Sequence, residues 1–278
     1  MTGYPTLRIP PSPHLAVDVQ GDGPLLLFLH GIGGNRTNWR AQLPAFAPHF
    51  KAVAWDARGY GASDDYEGAL AFDDFVADLL RAIDWFDVPK AHIAGLSMGG
   101  RIAMRFALLH PDRVATLTLI DTHEGFESFT PEKRREFVET RRAPLVSGKT
   151  PADIAPTVAR SLAGPKAKPE HVQQLIDSIS ALHKESYLKS LEATVNQVTV
   201  GDISRIQAPV HFIVGADDPL TPVSLHQEMA AKLGGAPVSV LADAGHLSNI
   251  EQADAFNRAA LEWLLRQRSD LSHCAGLS

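Results

Sequence analysis

The 278-residue sequence contains little cysteine, no long hydrophobic run and no excess of positive charge. Its single cysteine, Cys274, excludes an intrachain disulfide and fits a reducing compartment. The longest uninterrupted apolar run, Leu25 to Leu29, is far too short to cross a bilayer, so we expect no membrane association. The Pro-rich residues before His14 include no apolar stretch of the kind that a secretory signal needs. These absences predict a cytoplasmic protein.

The charge balance argues against nucleic acid as a partner. The net charge is −6 and no basic patch is present that could displace the counterions of a phosphate backbone. Basic residues are concentrated only between Lys133 and Arg142, where glutamates alternate with them at helical spacing. We interpret this stretch as a solvated helix face, from which one arginine could face a substrate carboxylate.

Short apolar segments rich in Val, Ile and Leu alternate with amphipathic stretches, a pattern typical of an α/β fold with a mostly parallel sheet and helices on both faces. Several predicted strands are continuously apolar, as central strands covered on both faces are. The predicted strands span residues 14–19, 25–30, 52–56, 91–94, 114–120, 210–214 and 238–241. The predicted helices of this α/β core span residues 39–47, 72–86, 98–109, 223–233 and 253–268.

Between residues 120 and 210 the strand pattern disappears. Three helical segments, each with proline at its first turn, are predicted at residues 131–145, 151–162 and 169–196. We therefore predict an α/β core formed by residues 1–121 and 202–268, a helical lid over residues 122–201, and a flexible polar tail over residues 269–278.

A strand, a Gly-Leu-Ser-Met-Gly turn and a helix follow one another between Ala91 and Leu109. This order is the pattern of a nucleophile elbow, a turn so tight that the backbone of the serine is strained and any flanking Cβ would collide with the neighbouring strand and helix. The N-terminus of the following helix stabilises negative charge. We predict that Ser97 is a nucleophile whose hydroxyl stands above the edge of the sheet.

A second Gly-rich turn, His-Gly-Ile-Gly-Gly, follows the predicted strand at residues 25–30. A carbonyl attacked by serine becomes an oxyanion, which two preoriented backbone N–H groups stabilise strongly. We predict these N–H groups at Met98, next to the nucleophile, and at Ile32. His30 is interpreted as a residue that shapes this turn rather than as the base.

A serine nucleophile needs a histidine that is itself oriented by a carboxylate. Of the 12 histidines, His246 lies between the last predicted strand and the last helix, at the carboxyl edge where α/β sheets form their sites. The preceding strand is followed by Asp217 and Asp218, and either could orient the histidine. A third candidate acid, Asp121, ends the predicted strand at residues 114–120.

With these pieces placed, the chain resembles the α/β-hydrolase superfamily over nearly its whole length. The resemblance rests on HGIGG at residues 30–34, DARGYGASD at 56–64, GLSMGG at 95–100, GADDPLTP at 215–222 and AGHLSNIEQ at 244–252. It implies an α/β-hydrolase fold with a helical lid. In the family pattern G-x-x-D-x-x-T-P the acid is the fourth residue, which favours Asp218 over Asp217. Haloalkane dehalogenases and epoxide hydrolases are excluded, because they need aspartate where this chain has Ser97.

The run HLSNIEQADAF together with GLSMGG resembles the 3-oxoadipate enol-lactonases and, more loosely, C–C bond hydrolases and small esterases of aromatic degradation. Relatives often carry proline where this chain has Ala253. The resemblance implies hydrolysis of a small-molecule ester, lactone or related carbonyl substrate through an acyl-serine intermediate, without a cofactor. C–C bond hydrolysis of a vinylogous diketone, a cofactor-free perhydrolase activity and a ligand receptor on a hydrolase fold remain alternatives.

Three aromatic residues, Trp39, Phe126 and Phe129, are candidates for the lining of a substrate pocket, although core packing explains each of them equally well. No metal site is predicted, because the histidines and acidic residues show no metal-ligand spacing.

Overall fold

The computed structural model describes residues 5–127 and 130–275 of the chain. Its strands are β1 (Thr6–Ile9), β2 (Leu15–Gln20), β3 (Leu25–Leu29), β4 (Lys51–Trp55), β5 (Ala91–Leu96), β6 (Val114–Ile120), β7 (Val210–Gly215) and β8 (Val238–Leu241). They form one sheet in the order β1-β2-β4-β3-β5-β6-β7-β8. The pairings of β2 with β1 and with β4 are antiparallel, and the pairings among β3 to β8 are parallel.

Helices flank this sheet and fill the interval between β6 and β7. They are α1 (Gln42–Phe46), α2 (Phe72–Trp85), α3 (Met98–Leu109), α4 (Pro131–Val146), α5 (Pro151–Leu162), α6 (Pro169–Ser180), α7 (Lys184–Asn196), α8 (Val223–Lys232), α9 (Ser248–Glu251) and α10 (Ala253–Ala275). We call the insertion that carries α4 to α7 the lid. No helix in the described part of the chain is both long and apolar enough to cross a membrane.

The central strands explain why the sheet forms. Every residue of β3, β5 and β7 is buried, as is expected for largely apolar strands that are covered on both faces. Helix α2 covers the sheet with Phe75, Leu79 and Ile83, which recur at helical spacing and are fully buried. The predicted α/β class and the mostly parallel sheet are confirmed. Parallel strands carry their carboxyl ends at one edge, and the loops that follow β5, β7 and β8 meet there.

The structure corrects several element boundaries. Strand β1 was not predicted, because it is short and three of its four residues are exposed, so it shows no apolar pattern. The helix predicted at residues 39–47 is instead a 3₁₀ turn, Arg36–Trp39, followed by the short α1. Helix α10 runs to Ala275, past residue 268, where the last helix was predicted to end.

The lid contains four helices in the described residues where the sequence predicted three. The segment predicted as one helix over residues 169–196 is divided between α6 and α7. The division lies at His183, whose ring contacts the Asp65 carboxylate at 2.9 Å and the Gly61 carbonyl at 3.1 Å. These contacts draw the chain onto the sheet domain, and helical periodicity carries no information about them.

Candidate active site

Ser97 occupies a strained turn between β5 and α3. Its φ of 53° and ψ of −114° lie in a region that residues with a Cβ rarely adopt. The glycines on either side permit the turn. A Cβ on Gly95 would overlap the carbonyl oxygen of Gly99, and a Cβ on Gly99 would overlap that of Leu29. The serine hydroxyl is thereby presented at the N-terminus of α3.

The side chains of Ser97, His246 and Asp218 form a continuous hydrogen-bonded chain. The Ser97 Oγ lies 3.0 Å from His246 Nε2, and His246 Nδ1 lies 2.9 Å from Asp218 Oδ2. Ser97 follows β5, Asp218 follows β7 and His246 follows β8. His246 is 149 positions from Ser97 and 28 from Asp218 in sequence, yet all three meet at one edge of the sheet. With Nδ1–H donating to the carboxylate, Nε2 is left to accept the serine proton.

The surroundings of Asp218 favour its charged form. Burial disfavours the carboxylate, but hydrogen bonds from His246 and Thr221 outweigh it and hold the pKa of Asp218 below its ordinary value. The N–H groups of Leu220 and Thr221 donate to its other oxygen at 2.8 and 3.1 Å. Burial also disfavours the charged form of His246 and so lowers its pKa, but the hydrogen bond and charge of Asp218 raise the pKa above its ordinary value overall.

The other two candidate acids are placed differently. The side chain of Asp217 is exposed, and its backbone N–H donates to the Ala244 carbonyl at 2.9 Å. Asp121 is fully buried and accepts hydrogen bonds from the N–H of Gly215 at 2.9 Å and from the N–H and hydroxyl of Ser248 at 3.0 and 2.6 Å. Asp121 therefore joins the loops that carry Asp218 and His246.

The turn after β3 has the arrangement expected for the other side of an oxyanion site. His30 is buried, its Nδ1 lies 2.8 Å from the Gly31 carbonyl, and its Nε2 accepts the Ala57 N–H at 3.1 Å. It thus fixes the shape of the turn. Ile32 and Met98 both line the cavity next to Ser97. Because Met98 is the first residue of α3, its N–H has no acceptor within the helix.

A cavity of about 340 Å³ lies between the sheet edge and the lid. Its walls are mostly apolar side chains of both parts, and Ser97 and His246 open onto it. Trp39 and Phe126 line it, whereas Phe129 lies outside the described residues. In the described part of the chain, no group of three or more His, Cys, Asp or Glu residues is placed to hold a metal ion.

Two arginines, Arg101 and Arg141, lie in the cavity wall; no role was predicted for Arg101 from the sequence, and Arg141 belongs to the basic stretch from which one arginine could face a substrate carboxylate. Arg101 on α3 is almost fully buried between the rings of Phe72 and Phe126 and donates to the Thr194 carbonyl at 2.6 Å and to that of Gln197. Burial lowers the pKa of Arg101 to about 10, which still leaves it charged at neutral pH. Its position one turn after Ser97 was the only signal available in the sequence.

The second arginine, Arg141, comes from the basic stretch on α4. Its neighbours Arg135 and Arg142 pair with Glu132 and Glu139, as a solvated face predicts. Arg141 instead packs over the Phe137 ring, with its guanidinium carbon 3.6 Å from the ring centre, and lines the cavity. Among the residues that the structure describes, no Asp or Glu lines this cavity and neither cavity arginine has a carboxylate partner.

An eight-stranded sheet with a strained serine at a strand-to-helix turn, together with an inserted helical lid, defines an α/β hydrolase. The chain belongs to this family: the family described as alpha/beta hydrolase fold matches residues 24–253. The resemblance seen in the five sequence motifs is thereby confirmed.

Named relatives place the chain among the hydrolases of this family. The chain is 30% identical to 3-oxoadipate enol-lactonase 2 of Acinetobacter baylyi over 244 residues, and this alignment covers 86% of this chain and 88% of that protein. It is also 30% identical over 275 residues to the 2-hydroxy-6-oxononadienedioate/2-hydroxy-6-oxononatrienedioate hydrolase of Escherichia coli. That alignment covers 94% of this chain and 92% of the relative. A thermophilic esterase from Thermogutta terrifontis superposes with a TM-score of 0.86 at 27% identity, covering 95% of this chain and 99% of that one.

Proposed function

We propose that the protein hydrolyses a small carboxylic ester or lactone through an acyl-serine intermediate. The observation that carries this proposal is the hydrogen-bonded chain from Ser97 through His246 to Asp218 beside the cavity. Ser97 attacks the carbonyl carbon while His246 takes its proton and then delivers it to the leaving oxygen. Asp218 holds the imidazole in the required tautomer. The N–H groups of Ile32 and Met98 stabilise the oxyanion, and water then releases the acyl group by the same route.

Cleavage of a C–C bond is the second candidate, because the Escherichia coli relative is as similar to this chain as the enol-lactonase is. Both reactions place an oxyanion in the same site, so the three proposed catalytic side chains do not distinguish them. The choice of substrate distinguishes the two reactions. Purified protein should be assayed with p-nitrophenyl esters, lactones of several ring sizes and a dienone C–C substrate.

We expect multiple turnovers of the esters and lactones, at a higher kcat/KM than for the dienone. Preferential turnover of the dienone would transfer the assignment to C–C hydrolysis. A single turnover followed by retention of the product would instead favour a ligand receptor and contradict both enzymatic proposals.

We further propose that the substrate carries a carboxylate. The cavity wall presents Arg101 and Arg141 and, among the described residues, no acidic side chain, so its electrostatic potential favours an anion despite the net charge of −6 on the protein. Both terminal nitrogens of Arg101 donate to lid carbonyls and only its buried Nε lacks a partner, whereas both the Nε and the second terminal nitrogen of Arg141 have no hydrogen bond within the described chain. Arg141 is therefore the residue proposed to contact the carboxylate. The names of both relatives above also specify a dicarboxylic skeleton, an oxoadipate and a dienedioate.

Arg141→Gln is expected to lower kcat/KM for an aryl monoester of glutarate by about 10- to 100-fold. A charge-assisted hydrogen bond is worth about 1.5–3 kcal/mol, which corresponds to this range. The matched neutral aryl butyrate should be hydrolysed at the wild-type rate. Arg142→Gln is the control, because the adjacent Arg142 pairs with Glu139 and Glu192 and does not line the cavity. Equal losses on both esters, or no preference of the wild type for the charged ester, would contradict carboxylate recognition and leave the hydrolase proposal standing.

A further inference from the structure

The end of α5 and the segment that follows it bring the lid against the loop that carries His246. Residues 162–164, which we call the lid anchor, lie directly against the backbone before and at His246. The His246 N–H donates to the Leu162 carbonyl at 2.9 Å. A Cβ on Gly164 would lie 2.7 Å from the Gly245 nitrogen, and a Cβ on Gly245 would overlap the Gly164 nitrogen. The two backbones therefore approach more closely than any side chain at either position would permit.

Glu251 on α9 closes this contact. One of its carboxylate oxygens, Oε2, accepts the N–H of Gly164 at 2.9 Å and the N–H of Gly245 at 3.1 Å. One oxygen thus bridges the lid anchor and the residue that precedes His246. Glu251 belongs to the AGHLSNIEQ motif, but neither the sequence argument nor the proposed reaction gave it a role.

The position of this carboxyl group is energetically costly. Glu251 is only 5% exposed, and its second oxygen is buried without a hydrogen-bond partner in the described part of the chain. Burial raises the pKa of Glu251 above its ordinary value, although the N–H groups of Gly245 and Gly164 act in the opposite direction. A buried polar atom without a partner disfavours the folded state. The two hydrogen bonds that Glu251 accepts from the N–H groups of Gly164 and Gly245 offset part of this cost.

We propose that Glu251 is a positioning residue for His246, which it fixes by tying Gly245 to the lid anchor. The proposal rests on the role of His246 as the base in the proposed function. The imidazole is oriented by Asp218 at its side chain, but the backbone that carries it is held by Leu162 and, one residue earlier, by Glu251. A displacement of the base of about 1 Å is enough to cost roughly 10²-fold in rate. The lid therefore contributes to catalysis through the geometry of the base as well as by covering the cavity.

Glu251→Ala is expected to lower kcat for a p-nitrophenyl ester by about 10- to 100-fold while KM stays within about threefold, because the base moves and, apart from Leu162 at the lid anchor, the cavity wall is distant from the change. Glu251→Gln keeps an oxygen that can accept both N–H groups and should recover most of kcat. Gly164→Ala, which pushes the lid anchor away while keeping Glu251, should reproduce the loss in kcat. Glu262→Ala, at an exposed glutamate on α10, is the matched control and should behave as wild type.

Circular dichroism melting should accompany each assay, so that folded variants are compared. A folded Glu251→Ala protein with wild-type kcat, or a loss confined to KM, would overturn the proposal. If Glu251→Ala does not fold, Gly164→Ala decides, and wild-type kcat in that variant overturns it. If neither variant folds, both residues have a structural role only and the proposal is equally overturned. Failure of the proposed function would look different, because the wild type itself would then show no turnover.

Discussion

Ser97→Ala is expected to abolish ester turnover and labelling by a fluorophosphonate probe while leaving the fold intact. In the proposed reaction the hydroxyl of Ser97 forms the acyl and phosphonyl bonds and is activated by His246, whose Nε2 lies 3.0 Å away. Loss of the serine in a comparable triad costs roughly 10⁶ in kcat, with a residual contribution from the oxyanion site. Alanine differs from serine only by the missing oxygen, so the strained turn at φ 53° should tolerate it as well as it tolerates serine.

Three measurements check this prediction: the steady-state rate on a p-nitrophenyl ester, the extent of probe labelling after denaturing electrophoresis, and the thermal midpoint. Ser161→Ala is the control, since Ser161 is exposed on α5 and its hydroxyl donates to the Val158 carbonyl within its own helix. That variant should retain full labelling and turnover. Persistent labelling of Ser97→Ala at the wild-type rate would show that another residue is the nucleophile and would refute the assignment.

The strands near the site could be predicted from sequence because burial on both faces leaves a local mark. Strand β3 is continuously apolar, and β5 and β7 are apolar except for one histidine each; the predicted bounds of the three strands differ from the observed ones by one or two residues at most. Helix α3 was predicted over its observed span, because it follows a glycine-flanked serine and ends before the next strand. The order of the loops then follows from the parallel sheet, which brings residues distant in sequence to one edge.

The contacts between the lid and the core could not be predicted in the same way, because they depend on how helices pack rather than on local periodicity. Arg141 and Arg142 are adjacent in sequence and chemically identical, yet one lines the cavity and the other pairs with Glu139. From the sequence, Glu251 is an ordinary acidic residue near a helix end, and its hydrogen bonds to Gly164 and Gly245 are evident only from the structure. Charge and hydropathy patterns give no information about such pairs, since the partner lies far away along the chain.

Asp218→Asn is expected to lower kcat by about 10⁴-fold, whereas Asp217→Asn should leave it within about twofold of wild type. An asparagine amide facing His246 Nδ1 stabilises the tautomer with the proton on Nε2, which then has no lone pair for the serine proton. Asp217 offers a matched control, because it is the adjacent residue, undergoes the same change and has an exposed side chain. Its substitution alters the local charge by the same amount without touching the imidazole.

The pH profile adds a second readout for Asp218. Burial lowers the pKa of His246, and Asp218 is the largest of the influences that raise it above its ordinary value. In the proposed mechanism His246 must be neutral to accept the serine proton, so its pKa is expected to set the acidic limb of kcat/KM. Without the Asp218 charge that pKa falls, so the acidic limb of Asp218→Asn should move to lower pH while the plateau drops. Asp121 and Glu251 also raise this pKa and remain in place in the variant. If Asp217→Asn were the inactive variant, the acid would have to be reassigned to Asp217; if both variants stayed active and Asp121→Asn did not, Asp121 would be the orienting acid.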